Sequence, residues 1–201
     1  NLSGLGAKTR FITVVGDDLA GTDIKKLVSN VPNTKTTLIT EKKRRTSIKT
    51  RYVASGQQMM RTDDETIAPI EETTKQRLIK LVKSALNNNT AVILADYAKG
   101  VLTPDITKEI IRLAKKVKIP VIVDPQGTDY KHYKGANIIT PNRKELSLAT
   151  GMQTNSEMAI MAAGRKLISK IGIESILATR SSDGMSLIDV DSFNTFKAES
   201  Q

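Results

Sequence analysis

Clusters of polar residues set directly after short apolar runs constrain this 201-residue chain more than any other feature. They are Ala95-Asp-Tyr-Ala-Lys-Gly100, Val123-Asp-Pro-Gln-Gly127 and Thr140-Pro-Asn-Arg-Lys-Glu145. Short apolar runs suit strands buried on both faces, while the stretches between them carry helical periodicity. Strands alternating with helices specify an α/β fold: a central, mainly parallel sheet with right-handed crossovers and helices on its faces. In such sheets ligands collect where strands end and helices begin, and that is where these acids, lysines, glycines and amides fall.

The same periodicity places the individual elements. Phe11 to Val15 reads as a strand closed by Gly16, followed by a helix from Leu19 to Ser29. Thr34 to Thr40 and Ser47 to Ala54 are rich in Thr, Val and Ile and flank the basic run Lys42-Lys-Arg-Arg45, so the expectation is a hairpin, with Gln57 to Arg61 a further strand. Residues 34–62 therefore interrupt the α/β rhythm, as a lid or small side sheet within a single domain spanning 1–201. A helix beginning near Glu71 and Glu72 carries the apolar stripe Leu78, Leu81, Val82, Ala85 and Leu86, and Asn87-Asn-Asn89 ends it. After the strand Ala91 to Ala95, Thr103-Pro104 opens a helix reaching about Val117, since the hydroxyl can cap free amides and proline is tolerated in a first turn. Strands at Val121 to Val123 and Asn137 to Thr140, helices at Arg143 to Thr150 and Ser156 to Ile171, a strand at Ser175 to Thr179 and a hairpin built on Gly184 follow.

Composition narrows the class. Cysteine is absent, which excludes disulfides and thiolate metal sites and fits a reducing, cytoplasmic setting. The apolar runs are too short to span a bilayer, so no membrane association is expected. Net charge is +10, and the run at 42–45 would attract phosphates of any kind, although such runs are usually solvated turns. Aromatic residues are only 3% of the chain, too few for a base-stacking platform, which argues against nucleic acid as a partner.

Candidate chemistry lies in the clusters. Asp96 could accept sugar hydroxyls and Lys99 could meet a phosphate; a capping Asp and a solvated Lys are the ordinary alternative. Asp124 could hold magnesium through water, or cap a turn. Asn142 and Glu145, three apart, suit a hydrated magnesium and phosphate, yet an Asn cap with a first-turn Glu is also a common helix start. Thr179, Arg180 and Gly184 could border a nucleotide or form an ordinary hairpin. His132 sits in a polar segment, is expected at the surface, and is given no catalytic role.

Taken together, Gly16-Asp17-Asp18 with Gly21, Thr50-Arg51 with Gln57-Gln58 and Arg61, Asp96 to Gly100, Asp124-Pro125 with Gly127, Pro141-Asn142 with Glu145, and Thr179-Arg180 with Gly184 resemble the ribokinase-like (PfkB) carbohydrate kinases. Within that family the sequence is most similar to the D-glycero-β-D-manno-heptose 7-phosphate kinases, which occur alone or joined to an adenylyltransferase. The resemblance covers essentially the whole chain. It implies a ribokinase-like sheet with a small β lid over the sugar. The implied reaction is transfer of the γ-phosphoryl of Mg2+-ATP to the anomeric hydroxyl of heptose 7-phosphate, a step toward lipopolysaccharide core. Arg51, Gln57, Arg61, Asp96 and Lys99 would then meet the sugar phosphate. Asn142, Thr179, Arg180 and Gly184 would meet the nucleotide, and Asp124, Asn142 and Glu145 would serve Mg2+. A homodimer is implied for the intact protein.

The family's Asp-Thr-x-Gly-Ala-Gly-Asp motif, which carries its general base and anion hole, does not occur within the 201 residues. No catalytic base is therefore assigned. The expectation is a kinase domain incomplete at both ends and inactive as it stands, the alternative being a non-catalytic sugar-phosphate-binding or interaction module.

Overall fold

The structure, a computed structural model, describes residues 1–199. It divides into two compact units, one formed by Asn1–Ala85 with Lys99–Val101, the other by Leu86–Ala98 with the residues from Leu102 onward. Among the described residues no helix is long and apolar enough to cross a membrane.

The first unit opens with a β-α-β element: β1 (Thr9–Gly16), α1 (Leu19–Ser29) and β2 (Thr34–Glu41). The two strands run parallel, in register from Thr9↔Thr34 to Gly16↔Glu41. Asp18 caps α1 by accepting the Gly21 amide at 2.8 Å, and its other oxygen accepts the Thr46 amide at 2.8 Å. Burial tends to raise this carboxyl's pKa, but the hydrogen bonds from Thr46 and Gly21 prevail and hold it below the usual range. A Cβ on Gly16 would run into the Arg44 carbonyl, so only glycine lets this loop close.

Next come β3 (Ile48–Ala54) and β4 (Gln57–Asp64), paired antiparallel, and then α2 (Glu72–Leu86). The expected hairpin between 34–40 and 47–54 does not form: β2 joins β1, and the hairpin is β3 with β4. The reason is turn chemistry. Ser55 and Gly56 both take positive φ, 50° and 77°, as a tight two-residue hairpin turn demands.

The basic run at 42–45 is likewise not simply a solvated turn, because Arg44 is buried. Its Nε lies 3.1 Å from Glu41 Oε1, and its terminal nitrogens donate to the carbonyls of Thr66 (3.0 Å), Lys99 (3.0 Å) and Ala68 (2.6 Å). Arg45 stays exposed and pairs with Asp64 at 3.0 Å.

The second unit is built on a six-stranded sheet of order β10-β9-β8-β7-β6-β5. Its strands are β5 (Val92–Ala95), β6 (Val121–Asp124), β7 (Ile138–Ile139), β8 (Ser175–Thr179), β9 (Met185–Ile188) and β10 (Phe193–Phe196), and its helices are α3 (Pro104–Lys116), α4 (Arg143–Thr150) and α5 (Glu157–Ile171). From β5 to β8 the strands are parallel, while β9 and β10 complete the sheet antiparallel. The core is aliphatic: Val121, Val123, Ile139 and Ile176 from the sheet meet Ile106, Ile110, Leu146, Ile160 and Leu167 from the helices, all at most 2% exposed. Gly164 lies against Ile188, where a Cβ would displace the isoleucine side chain. The segment between β6 and β7 departs from expectation. Tyr130 and Tyr133 are buried, and His132, expected at the surface, is half-buried with its ring 3.9 Å from that of Tyr133.

Candidate active site

Because β5 to β8 are parallel, their carboxyl ends face one way, and backbone pairing places the residues that follow them in one row. The Asp96 amide donates to the Asp124 carbonyl at 3.0 Å, the Thr140 amide to the Val123 carbonyl at 2.9 Å, and the Thr179 amide to the Pro141 carbonyl at 3.0 Å. Asn142 also forms a parallel bridge with Thr179. Asp96, Asp124, Asn142, Glu145 and Thr179 are thus brought together along the carboxyl edge of one sheet.

Asp96 is buried, and both its oxygens are engaged: Oδ1 accepts the Ala98 amide at 2.8 Å and Oδ2 accepts the Tyr133 hydroxyl at 2.7 Å. Asp124 is exposed, with one oxygen 3.3 Å from the Thr140 hydroxyl. Asn142 caps α4 through a reciprocal capping box, accepting the Glu145 amide at 3.0 Å while its own amide donates to Glu145 Oε2 at 2.8 Å. Tyr130 is 1% exposed and its hydroxyl has no hydrogen-bond partner among the described residues. Burial, then the negative charges of Glu145 and Asp124, push its ionisation far above the ordinary phenol range.

Arg180 is buried rather than open to a ligand. It donates to Glu157 Oε1 at 2.8 Å and to the Asp183 carbonyl at 3.0 Å, and so holds the turn between β8 and β9. Gly184 closes that turn at φ 91°, where a Cβ would collide with the Phe196 carbonyl and the chain that follows it. Arg143 and Asp183 form an ion pair in front of the same turn.

The oxygen-only donors Asp124, Asn142 and Glu145 suit Mg2+, which keeps most of its waters and needs one or two carboxylates besides substrate phosphates. Among the described residues no group of three or more acids or histidines forms a self-sufficient metal cage. A hydrated ion shared with a phosphate chain is the arrangement these residues fit.

The other expected site residues lie in the first unit. Arg51 and Arg61 face each other across the β3–β4 ladder, with Lys49 opposite Asp63 on the same face. Lys49 lies 2.8 Å from Asp63, Arg61 lies 2.9 Å from it, and Lys99 pairs with Glu65. The hydrogen bond from Lys49 holds the Asp63 carboxyl below its usual range, and that from Lys99 does the same for Glu65. Arg51 makes no ion pair among the described residues, so this surface carries more positive than negative charge. Gln57 is set apart, beside the turn and beyond a register shift at Tyr52/Val53. Gly100, at φ 74°, packs so tightly that a Cβ would strike the Ala68 carbonyl.

The pattern of the pfkB family carbohydrate kinases matches residues 1–200. The chain belongs to that family. The bifunctional protein HldE of Acidiphilium cryptum is 42% identical over 199 residues, covering 99% of this chain and 41% of that protein. The bifunctional protein HldE of Paramagnetospirillum magneticum is 44% identical over 191 residues, 95% of this chain and 39% of its own length. The chain therefore spans about two fifths of these pfkB relatives. Among solved structures, Arabidopsis thaliana ribokinase complexed with ribose and ATP superposes with a TM-score of 0.72 at 18% identity, covering 98% of this chain and 63% of that one. Escherichia coli phosphofructokinase-2 in complex with fructose 6-phosphate gives 0.73 at 18% identity, covering 100% and 67%. The fold is accordingly the ribokinase-like α/β fold of pfkB kinases.

Several residues of this pfkB chain escaped the sequence reading. Asp63 and Glu65 continue the alternation that starts at Arg61, a period-two signal that was available in the sequence but lay beyond the assumed end of the strand. Tyr130 and Tyr133, three apart, mark one buried face of a short turn. Nothing local marks Arg44 as different from Arg45.

Proposed function

We propose that the protein is the kinase part of an ATP-dependent sugar-phosphate kinase, acting on D-glycero-β-D-manno-heptose 7-phosphate at its anomeric hydroxyl. The observation that carries the phosphorylated-sugar reading is the β3–β4 face, where Lys49, Arg51 and Arg61, with Lys99, meet only two carboxylates among the described residues, Asp63 and Glu65. Facing arginines repel, Asp63 offsets only the Arg61 side, and a phosphate relieves the remaining repulsion with charge-assisted hydrogen bonds. The heptose reading rests on the sequence resemblance and on the HldE relatives.

In this reading Arg51, Arg61 and Lys99 receive the sugar phosphate, and Gln57 and Asp96 belong to the sugar side, as the hairpin tip and as an anchor of the β5 loop. Thr179 and the Gly184 backbone border the nucleotide, Arg180 keeps their turn in shape, and Asn142, Glu145 and Asp124 hold the phosphate chain. Mg2+, bound with ATP, supplies charge neutralisation there. The anomeric hydroxyl oxygen forms a bond to the γ-phosphorus as the bond from that phosphorus to the β–γ bridging oxygen breaks, giving the 1,7-bisphosphate and ADP, and the hydroxyl proton passes to water, no base for it being assigned among these residues. Positioning and charge carry most of such a reaction. The hairpin also acts as the lid, and its other face, with Ile48, Tyr52 and Met60 exposed, supports pairing with a second copy. A cytoplasmic setting follows from the nucleotide substrate.

The test is ADP release and calorimetric binding with Mg2+-ATP and heptose 7-phosphate, beside ribose and fructose 6-phosphate. Turnover with the heptose alone supports the reading. Binding of heptose 7-phosphate without turnover assigns this chain the role of a binding module, and binding of none of the sugars overturns both.

A further inference from the structure

The loop after β5 contains a backbone conformation that its residue does not favour. Ala98 has φ 52°, in the left-handed region, where a Cβ crowds the backbone. Such a conformation persists only where its surroundings hold it. Here the Ala98 amide donates to Asp96 Oδ1 at 2.8 Å, which pins the turn, and Asp96 is itself fixed by the Tyr133 hydroxyl on Oδ2 at 2.7 Å. Tyr133 is 0% exposed, its ring packs at a tilt against that of His132, and its hydroxyl also accepts the Gln126 amide at 3.3 Å. One phenol therefore ties the loop after β5 to the loop after β6. The chain leaves Ala98 directly as Lys99.

We propose that Tyr133 is a positioning residue for the sugar-phosphate site: through Asp96 it holds Ala98 left-handed and so sets the direction in which Lys99 is presented. This rests on the reading of Lys99 as a phosphate contact, while the loop geometry stands independently of it. Two consequences follow. Each Asp96 oxygen already accepts one bond within the protein, so Asp96 acts on the sugar site through its loop as well as through any remaining lone pair. The neighbouring phenol of Tyr130, equally buried but without a hydrogen-bond partner among the described residues, makes no such bond to the loop.

Tyr130→Phe is therefore an internal control for Tyr133→Phe, since each removes one buried hydroxyl oxygen from adjacent rings 5.6 Å apart. The first readout is hydrogen exchange of the Ala98 amide in the full chain without ligand. Tyr133→Phe is expected to speed it about tenfold or more, as loss of a charge-assisted hydrogen bond implies, and Tyr130→Phe to leave it unchanged. The second is calorimetry with heptose 7-phosphate and, separately, Mg2+-ATP: Tyr133→Phe is expected to weaken the sugar phosphate about tenfold and spare the nucleotide. Unchanged Ala98 exchange, or equal effects from both variants, overturns the proposal. Faster exchange with unchanged sugar-phosphate affinity overturns the link to Lys99, and faster exchange in a chain whose wild type binds no sugar phosphate overturns the functional reading while leaving the loop lock in place.

Discussion

Arg44 and Glu41 form a buried ion pair, 3.1 Å apart, with side chains only 4% and 5% exposed. Glu41 also accepts the Glu71 amide at 3.0 Å, so the pair joins the end of β2 to the start of α2 and, through Arg44, to the carbonyls of Thr66, Ala68 and Lys99. Burial alone would raise the Glu41 carboxyl, yet the hydrogen bonds from Glu71, Thr74 and Arg44 hold it lower than usual. Arg44→Ala leaves that carboxylate buried and unpaired, a change that typically costs about 3–5 kcal/mol. Urea denaturation should show a loss of this order, whereas Arg45→Ala, next in sequence but exposed, should leave the midpoint unchanged.

Gly184 offers a test of the turn that borders the proposed nucleotide site. Its φ of 91° disfavours any side chain, and a Cβ would strike the Phe196 carbonyl, which is backbone and cannot swing aside. Gly184→Ala should cost about 3 kcal/mol or more and weaken Mg2+-ATP binding. Gly127 has a similar φ of 86° but open space around it, so Gly127→Ala should cost only about 1 kcal/mol. Thermal melts of the two variants separate collision from backbone strain alone.

Much of this architecture was legible in local sequence. The α4 bounds, the cap at Asn142 with Glu145, the strand at 175–179 and the turn at Gly184 follow from patterns contained within a few residues, and the structure reproduces them. The unread parts depend on partners distant in sequence. Lys99 meets Glu65 across 34 positions, and Tyr133 meets Asp96 across 37, separations that leave no periodic trace. The pairing of β2 was misread for the same reason: two Thr-rich runs flanking a polar stretch look like a hairpin, but the left-handed turn residues lie one connection later, at Ser55 and Gly56. At the site, residue types indicated which groups can meet phosphate, but only the packing distinguished exposed Asp124 from Asp96 and Arg180, which are buried and already bonded within the protein.

The β3–β4 face separates sugar-phosphate recognition from nucleotide recognition. Arg51→Ala and Arg61→Ala should each raise the Kd for heptose 7-phosphate by roughly tenfold or more, the usual loss for a charge-assisted contact, with the Kd for Mg2+-ATP unchanged. The two differ in a second respect. Arg61 already pairs with Asp63, so its removal also leaves that acid with Lys49 alone, whereas Arg51 has no such partner to release among the described residues. Raising ionic strength should weaken the sugar phosphate more in wild type than in either variant, because exposed charges are screened. Equal losses for both ligands would point to unfolding of the hairpin instead.

His132 supplies the pH dependence. Burial lowers its pKa below the ordinary 6.5, Lys108 adds to that, and the opposing pull of Asp96 and Asp129 does not restore it. A histidine whose folded pKa is depressed binds protons more readily when unfolded. Its contribution to stability is therefore complete above the unfolded value and is lost as pH falls through the folded one. The melting temperature should decline from about pH 7 toward pH 5, and His132→Phe, which keeps a ring against Tyr133 but cannot titrate, should flatten that part of the curve. Asp18, Glu41, Asp63 and Glu65 are also depressed, but as carboxylates their contributions persist until the pH drops to about 4 or lower, so the two windows stay distinct. A wild-type curve with no slope between pH 7 and 5 would mean that the ring of His132 is solvated rather than packed against Tyr133.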